Sequence, residues 1–238
     1  MSDNDISYKI FPLGDSAITI DYGNVINESI NRKVIALFEY FTKNPMQGMV
    51  EAVPAYSSIT IYYDPVSLNK SLDGKHRAFK WITAQIEEAL KKDIQIPDTY
   101  GKMIKIPVCY DPEYGIDIKE LAFQKNLSPG EVVEFHTSKT YRVFMLGFLP
   151  GFAYMGEVDE NIAVPRRSQP RQMVEAGSVG IAGKQTGIYP LQSPGGWQII
   201  GKTPIRLFNK NDDPPTLFQA GDMVEFVPIS KREFLELQ

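Results

Sequence analysis

Three guanidinium groups fall within six residues of one another, at Arg166, Arg167 and Arg171. From Asn161 to Phe208 there are six cations and a single carboxylate, Glu175, a local charge of +5 in a chain whose total is −4. A planar guanidinium matches carboxylate and phosphate oxygens two at a time. The glycines that punctuate the segment would let a backbone approach closely. The pattern points to binding of an anion; the plainer alternative is ordinary surface arginines in loops. Ser178, in Gly177-Ser178-Val179-Gly180, fits neither the G-x-S-x-G nucleophile turn nor the G-x-x-x-x-G-K-[ST] phosphate loop. It reads as a turn residue or a ligand-orienting hydroxyl. The chain holds two histidines, His76 and His136. His136 is a candidate acid/base only if it faces the arginine loops; otherwise it is a core residue. Tyr154, Tyr189 and Trp197 read as core or pocket wall, each with one polar atom to satisfy.

Several classes of function are excluded at this stage. The lone cysteine, Cys109, allows no intrachain disulfide, so a reducing, cytoplasmic setting is expected. Two histidines and one cysteine cannot build a Cys/His zinc site, and no metal is expected. The acidic start, Met1 to Asp5, lacks the basic and apolar character of a secretory leader. No uncharged run is long enough to cross a bilayer, so no membrane association is expected. Residues 118–136 mimic a helix-turn-helix, but the second helix carries Glu131 and Glu134 and no cation before Lys139. Carboxylates on that face repel phosphates, so nucleic acid is not expected as a partner.

The elements that must position these residues can be read from periodicity. The chain has 238 residues, 43% of them hydrophobic, enough for one or two domains with real cores. Residues 8–11 and 17–20 read as strands. Ile30, Val34, Leu37, Phe38 and Phe41 give an amphipathic helix capped by Asn27. Residues 56–63 are β-branched and aromatic, a strand stopped by Asp64-Pro65. Phe79, Ile82, Ile86 and Leu90 share one face of a second helix. The order is ββα then β(β)α, a small two-layer α+β domain. Residues 94–101 read as a linker, and 103–110 as a strand. Asp117 with Glu120 and Ser128 with Glu131 have capping-box spacing, the latter with Pro129 at the first helical position. Leu127 and Val132 could staple that second helix. Ten of the eighteen glycines then lie between Gly147 and Gly201. Short apolar runs with turn signals at that density imply a β-barrel or sandwich. The fold class is therefore α+β.

The ordered string GFLPGFAYMG (147–156), PRRSQPR (165–171) and AGSVGIAGKQTGIYPLQSPGGWQIIGKTP (176–204) resembles the family of allophanate-hydrolase subunit 1-like proteins, which includes the B subunits of 5-oxoprolinases and KipI. The likeness runs the full length, with Phe11-Pro12-Leu13-Gly14-Asp15 as its weaker N-terminal counterpart. Ala153, Met155 and Glu175 depart from the family's usual Pro, Leu and Pro. The resemblance implies an α+β domain over residues 1–95 and a cyclophilin-like β-barrel over 102–238. It implies no prolyl isomerase activity, since function lives in the site and not in the fold.

The resemblance also implies partners, the 5-oxoprolinase subunits C and A, with which the chain would convert 5-oxoproline to L-glutamate using ATP as co-substrate, while inactive alone. A lactam amide is resonance-stabilised, and phosphorylating its oxygen makes a better electrophile. On that reading Arg166, Arg167 and Arg171 bind anionic groups, Ser178, Gln185 and Tyr189 orient the substrate, and His136 is the acid/base. A second implied reading is inhibition of autophosphorylation of a sporulation sensor histidine kinase, which the chain would exert by itself. A third is a barrel that merely scaffolds the homologous barrel partner.

Overall fold

A computed structural model describes residues 7–72, 77–92, 94 and 101–238. The chain divides into two compact units, Met1–Thr99 and Tyr100–Gln238. Most of the expected linker, residues 95–100, lies outside the described residues, as does His76.

In the first unit the order is β1 (Lys9–Pro12), β2 (Ala17–Asp21), α1 (Glu28–Lys43), β3 (Met49–Pro54), β4 (Ser58–Tyr63), α2 (Pro65–Ser71) and α3 (Ala78–Leu90). The strands form an antiparallel sheet in the order β1-β2-β4-β3. Alternation in β4 sends Ile59, Ile61 and Tyr63 to the core, where they meet Val34, Leu37 and Phe41 of α1 and Ile82 and Ile86 of α3. Asn27 caps α1, accepting from the Ile30 N–H at 3.0 Å. The Asp64-Pro65 strand stop does more than stop a strand. The Asp64 carboxylate accepts the N–H groups of Val66 and Ser67, and Pro65 sits at the first turn, so α2 begins there.

The second unit runs β5 (Met103–Cys109), α4 (Ile118–Lys125), α5 (Pro129–Thr137), β6 (Thr140–Leu146), β7 (Ala153–Gly156), β8 (Arg171–Val174), β9 (Ser178–Ala182), β10 (Gln185–Ile188), β11 (Ser193–Gly195), β12 (Gln198–Lys202), β13 (Met223–Ile229) and α6 (Lys231–Glu236). Seven strands close into a barrel in the order β10-β7-β6-β13-β5-β12-β9, which leaves no open edge. β13 and β5 pair in parallel, and β8 and β11 form a separate two-stranded flap. Ser128 and Glu131 form the expected capping box on α5. Asp117 does not cap α4: its side chain makes no bond to that helix, because other donors claim the carboxylate.

A chain of hydrogen bonds runs through the otherwise largely apolar core of the barrel. The Tyr110 hydroxyl lies 2.8 Å from His136 Nδ1, and His136 Nε2 lies 2.9 Å from Thr186 Oγ1. The Thr186 hydroxyl donates to the Gly180 carbonyl at 3.1 Å. Thr186 has one proton to give, so His136 is assigned as the Nε2–H tautomer, accepting from Tyr110 at Nδ1. The imidazole is fully buried between Tyr141 and Phe226, whose ring centres lie 5.4 and 4.5 Å away. With no carboxylate beside it, burial pushes the imidazole down to about 3.

A neutral buried histidine makes folding depend on acid. Its folded value lies below the ordinary 6.5, so between pH 6.5 and about 3 the unfolded chain binds the extra proton. The stability it contributes is complete above pH 6.5 and is lost as pH falls through that window. The slope reaches about 1.4 kcal/mol per pH unit. In urea unfolding at pH 7 and pH 5, His136→Gln should be less stable at pH 7 yet lose less on acidification. Equal losses in both proteins would remove His136 as the source.

Candidate functional site

Two of the three clustered arginines meet, but around a carboxylate rather than an empty hollow. Asp117 is 2% exposed. Its Oδ1 accepts from Arg167 Nη1 at 3.0 Å and Arg171 Nη2 at 2.5 Å. Its Oδ2 accepts from the Ile199 N–H at 2.7 Å, and its own N–H donates to the Ile199 carbonyl at 2.8 Å. The loop before α4 is thus pinned to β12, and the start of β8 is pinned to both. The Arg167 N–H also donates to the Gly196 carbonyl at 2.8 Å. Two guanidinium atoms, Arg167 Nε and Arg171 Nη1, are buried without a partner. Two cations against one carboxylate leave the cluster one positive charge in excess.

Arg171 has a second exposure. It borders a pocket of about 190 Å³ together with Tyr114, Glu175, Ser178, Ile199 and Lys202, room for roughly six water molecules. The Ser178 hydroxyl makes no hydrogen bond among the described residues. The backbone around it is fixed, however: its N–H donates to Glu175 and its carbonyl accepts from Tyr189. Gly177 before it has φ +84°, and a Cβ there would run into the Thr203 carbonyl, so the turn that presents Ser178 requires glycine. Glu175, the unusual carboxylate of this segment, pairs with Lys202 at 2.5 Å.

The remaining candidates fall elsewhere. Arg166 is exposed and makes no ion pair among the described residues. It lies close enough to Tyr154 and Tyr189 to oppose, by its charge, the rise that burial imposes on both phenols. Tyr189 is 1% exposed and edge-on to Phe152 at 5.3 Å, and burial raises its phenol against the opposing pull of the Trp197 backbone N–H and the Arg166 charge. It is therefore wall and not a free orienting group. Gln185 opens β10 opposite Ala182, whereas Ile188 at the other end lies opposite Val179, next to Ser178. At about 3.3 Å per residue, that separates Gln185 from the pocket by roughly 10 Å. Lys184 pairs with Glu160 at 2.9 Å. The acid/base expectation for His136 is corrected: sealed in the barrel and hydrogen-bonded on both nitrogens, it cannot touch a substrate.

Sequence reasoning missed Asp117 and Phe148. Asp117 lies 50 and 54 residues from its arginines and carried only a capping signal. Phe148 has φ 65°, rare for a bulky side chain, is 62% exposed, and lies edge-on to Phe152 at 5.7 Å. With Phe152, Tyr154 and Trp197 it extends the aromatic wall toward solvent.

Removing the carboxylate should be severe, since it leaves two partly buried arginines and the Ile199 N–H without their acceptor. Asp117→Ala is expected to cost about 3–5 kcal/mol in denaturant unfolding. A loss below about 1 kcal/mol would mean the cluster is not the clamp described.

A family model for the carboxyltransferase domain, subdomain C and D, matches residues 8–218. A Bacillus subtilis (strain 168) protein named as the B subunit of 5-oxoprolinase is 45% identical over 230 residues, 96% of each chain. Its namesake in Escherichia coli O157:H7 is 38% identical over 221 residues, 92% of this chain and 95% of that one. The crystal structure of the conserved uncharacterized protein PH0987 from Pyrococcus horikoshii is similar at 47% identity and a TM-score of 0.55, covering 95% of this chain and all of that one. With matches of this identity along nearly the whole length, the chain belongs to the family of 5-oxoprolinase B subunits, built on the carboxyltransferase subdomain C and D pattern.

Proposed function

We propose that the chain is the B subunit of a cytoplasmic 5-oxoprolinase. With subunits A and C it contributes to ATP-dependent opening of 5-oxoproline to L-glutamate, and it does not turn over alone. On this reading residues 1–95 and 102–238 are two domains, the second a cyclophilin-like barrel. Support comes from the relatives' names over nearly the full chain. At the site, the observation that carries the reading is Arg171 and the unbonded Ser178 hydroxyl facing one small pocket.

The chemistry follows from those groups. 5-Oxoproline carries a carboxylate and an unreactive amide. The Arg171 guanidinium is held from behind by Asp117, so it need not reorganise to meet a carboxylate or a developing phosphate. Ser178 supplies one hydroxyl to the lactam or carboxylate oxygen. Transfer of the ATP γ-phosphoryl group to the lactam oxygen breaks the bond to ADP and leaves an O-phosphorylated imidate. Water then adds to that carbon, the C–N bond of the adduct breaks as the nitrogen takes up a proton to give γ-glutamyl phosphate, and a second water releases phosphate and leaves glutamate. Positive charge beside the transferring group is the main help a protein can give such a step. Arg167 acts through Asp117 as a positioning residue, and Arg166 stands apart on the aromatic wall.

Glutamate formation by the chain mixed with subunits A and C tests this. Arg171→Ala should lower kcat/KM by about 10²-fold, and Ser178→Ala by about 5-fold, one neutral hydrogen bond. Arg171→Lys keeps the charge and controls for loss of the Asp117 bond, with thermal unfolding confirming the fold. Undiminished turnover in both alanine variants would reject the site. No turnover by the wild-type mixture would reject the enzyme reading, whereas inhibition of a histidine kinase would need this chain alone.

A further inference from the structure

A second and larger cavity borders the same unit. It measures about 510 Å³, and its lining includes Lys202, Arg206, Phe208, Asn209, Lys210 and Gln238. No Asp or Glu side chain lines it. The reason is visible in the sequence: from Ala176 to Asn211 there are four cations and no carboxylate. Arg206 and Lys210 are solvent-exposed, and two observations set them apart from an ordinary charged face. Arg206 is anchored, its Nε donating to the Phe208 carbonyl at 3.1 Å, which leaves both terminal nitrogens to point elsewhere. Neither Arg206 nor Lys210 has a carboxylate within ion-pair distance among the described residues, although most other cations of this segment have one. The nearby Asp212 carboxylate accepts from the Asn209 amide at 2.7 Å, which orders the loop that carries Lys210.

From this cleft we infer a seat for a nucleoside triphosphate. Arg206 and Lys210, joined by Lys202 with its solvent-exposed partner Glu175, match a polyphosphate. Phe208, with Pro190 and Leu191, offers a flat apolar wall for a base. The volume lies within the range of ordinary ligand sites, about 300–1,000 Å³. Lys202 borders this cleft and also the small pocket of Arg171 and Ser178, so a triphosphate held here lies beside the group it would phosphorylate. The identity of the nucleotide as ATP rests on the proposed function; the presence of an anion seat does not.

Calorimetric titration of the full chain with ATP and magnesium, and separately with inorganic tripolyphosphate, reads the site without any turnover. The expected result is saturable binding of one ATP, competed by tripolyphosphate, which itself binds more weakly. Arg206→Gln with Lys210→Gln, two surface changes, should weaken ATP at least 10-fold and flatten its salt dependence. Lys184→Gln, which changes a cation paired with Glu160 outside both pockets, should leave ATP affinity within 2-fold. The same titration on the complex with subunits A and C covers a site completed by assembly. Absence of saturable ATP binding in both forms, or unaltered affinity in the double variant, overturns the assignment. Tripolyphosphate binding as tightly as ATP overturns its nucleoside part. ATP bound as expected with no 5-oxoproline turnover would sink the proposed function and leave this site standing.

Discussion

A carboxylate taken out of water costs several kcal/mol unless cations and donors replace its hydration. Asp117 is in that position, and its replacements come from three stretches far apart in sequence: Arg167, Arg171 and the backbone of Ile199. The need of one side chain therefore fixes where the α4 loop, the β8–β11 flap and strand β12 meet. The pocket of Arg171 and Ser178 is a consequence of that junction. The same geometry leaves Arg167 Nε and Arg171 Nη1 without acceptors and the cluster with net positive charge. A site built this way is stable without ligand and still electrostatically unsatisfied, which is the condition for receiving an anion.

The barrel treats the buried His136 in the opposite way. His136 is satisfied on both ring nitrogens, and the chain from Tyr110 through His136 and Thr186 ends on the Gly180 carbonyl. That chain links α5 to β9 and β10 inside the barrel, so it specifies how the helix and strands register. Nothing in it is left over for a ligand. The satisfied His136 chain holds the barrel, and the incompletely satisfied Asp117 cluster faces the pocket.

Much of this was legible from the chain, for physical reasons that differ by element. α1 and α3 declare themselves because a helix with one buried face must repeat its apolar residues every three or four positions. The glycine-punctuated C-terminal half reads as a barrel or sandwich because short strands need tight turns, and only the closure of β10 onto β9 decides for the barrel. Asp64-Pro65 looks the same whether it ends a strand or opens α2, and only the packing of Leu68 into the core decides. Asp117 has capping spacing with Glu120, yet two arginines and a backbone N–H outcompete the helix for its oxygens. Such long-range competition leaves no local trace. The clustering of Arg167 and Arg171 was visible in sequence; their partner, and the separation of Gln185 and His136 from them, required the fold.

The +5 segment shows why counting charges is not the same as locating them. Lys184 and Lys202 are each offset by a nearby glutamate, and Arg167 and Arg171 share an aspartate. These pairings are not equivalent. Glu175 is 66% exposed, and a pair open to solvent contributes about 0–1 kcal/mol, so a phosphate arriving beside Lys202 has little to displace. Asp117 is almost wholly enclosed, and breaking its bonds would strand a buried charge. Arg171 is therefore a fixed cation and Lys202 an exchangeable one. A group passing from the larger cleft to the small pocket would move from a cation whose partner water can replace to one whose partner is enclosed, which is the order needed to hold a mobile phosphoryl group against an oriented acceptor.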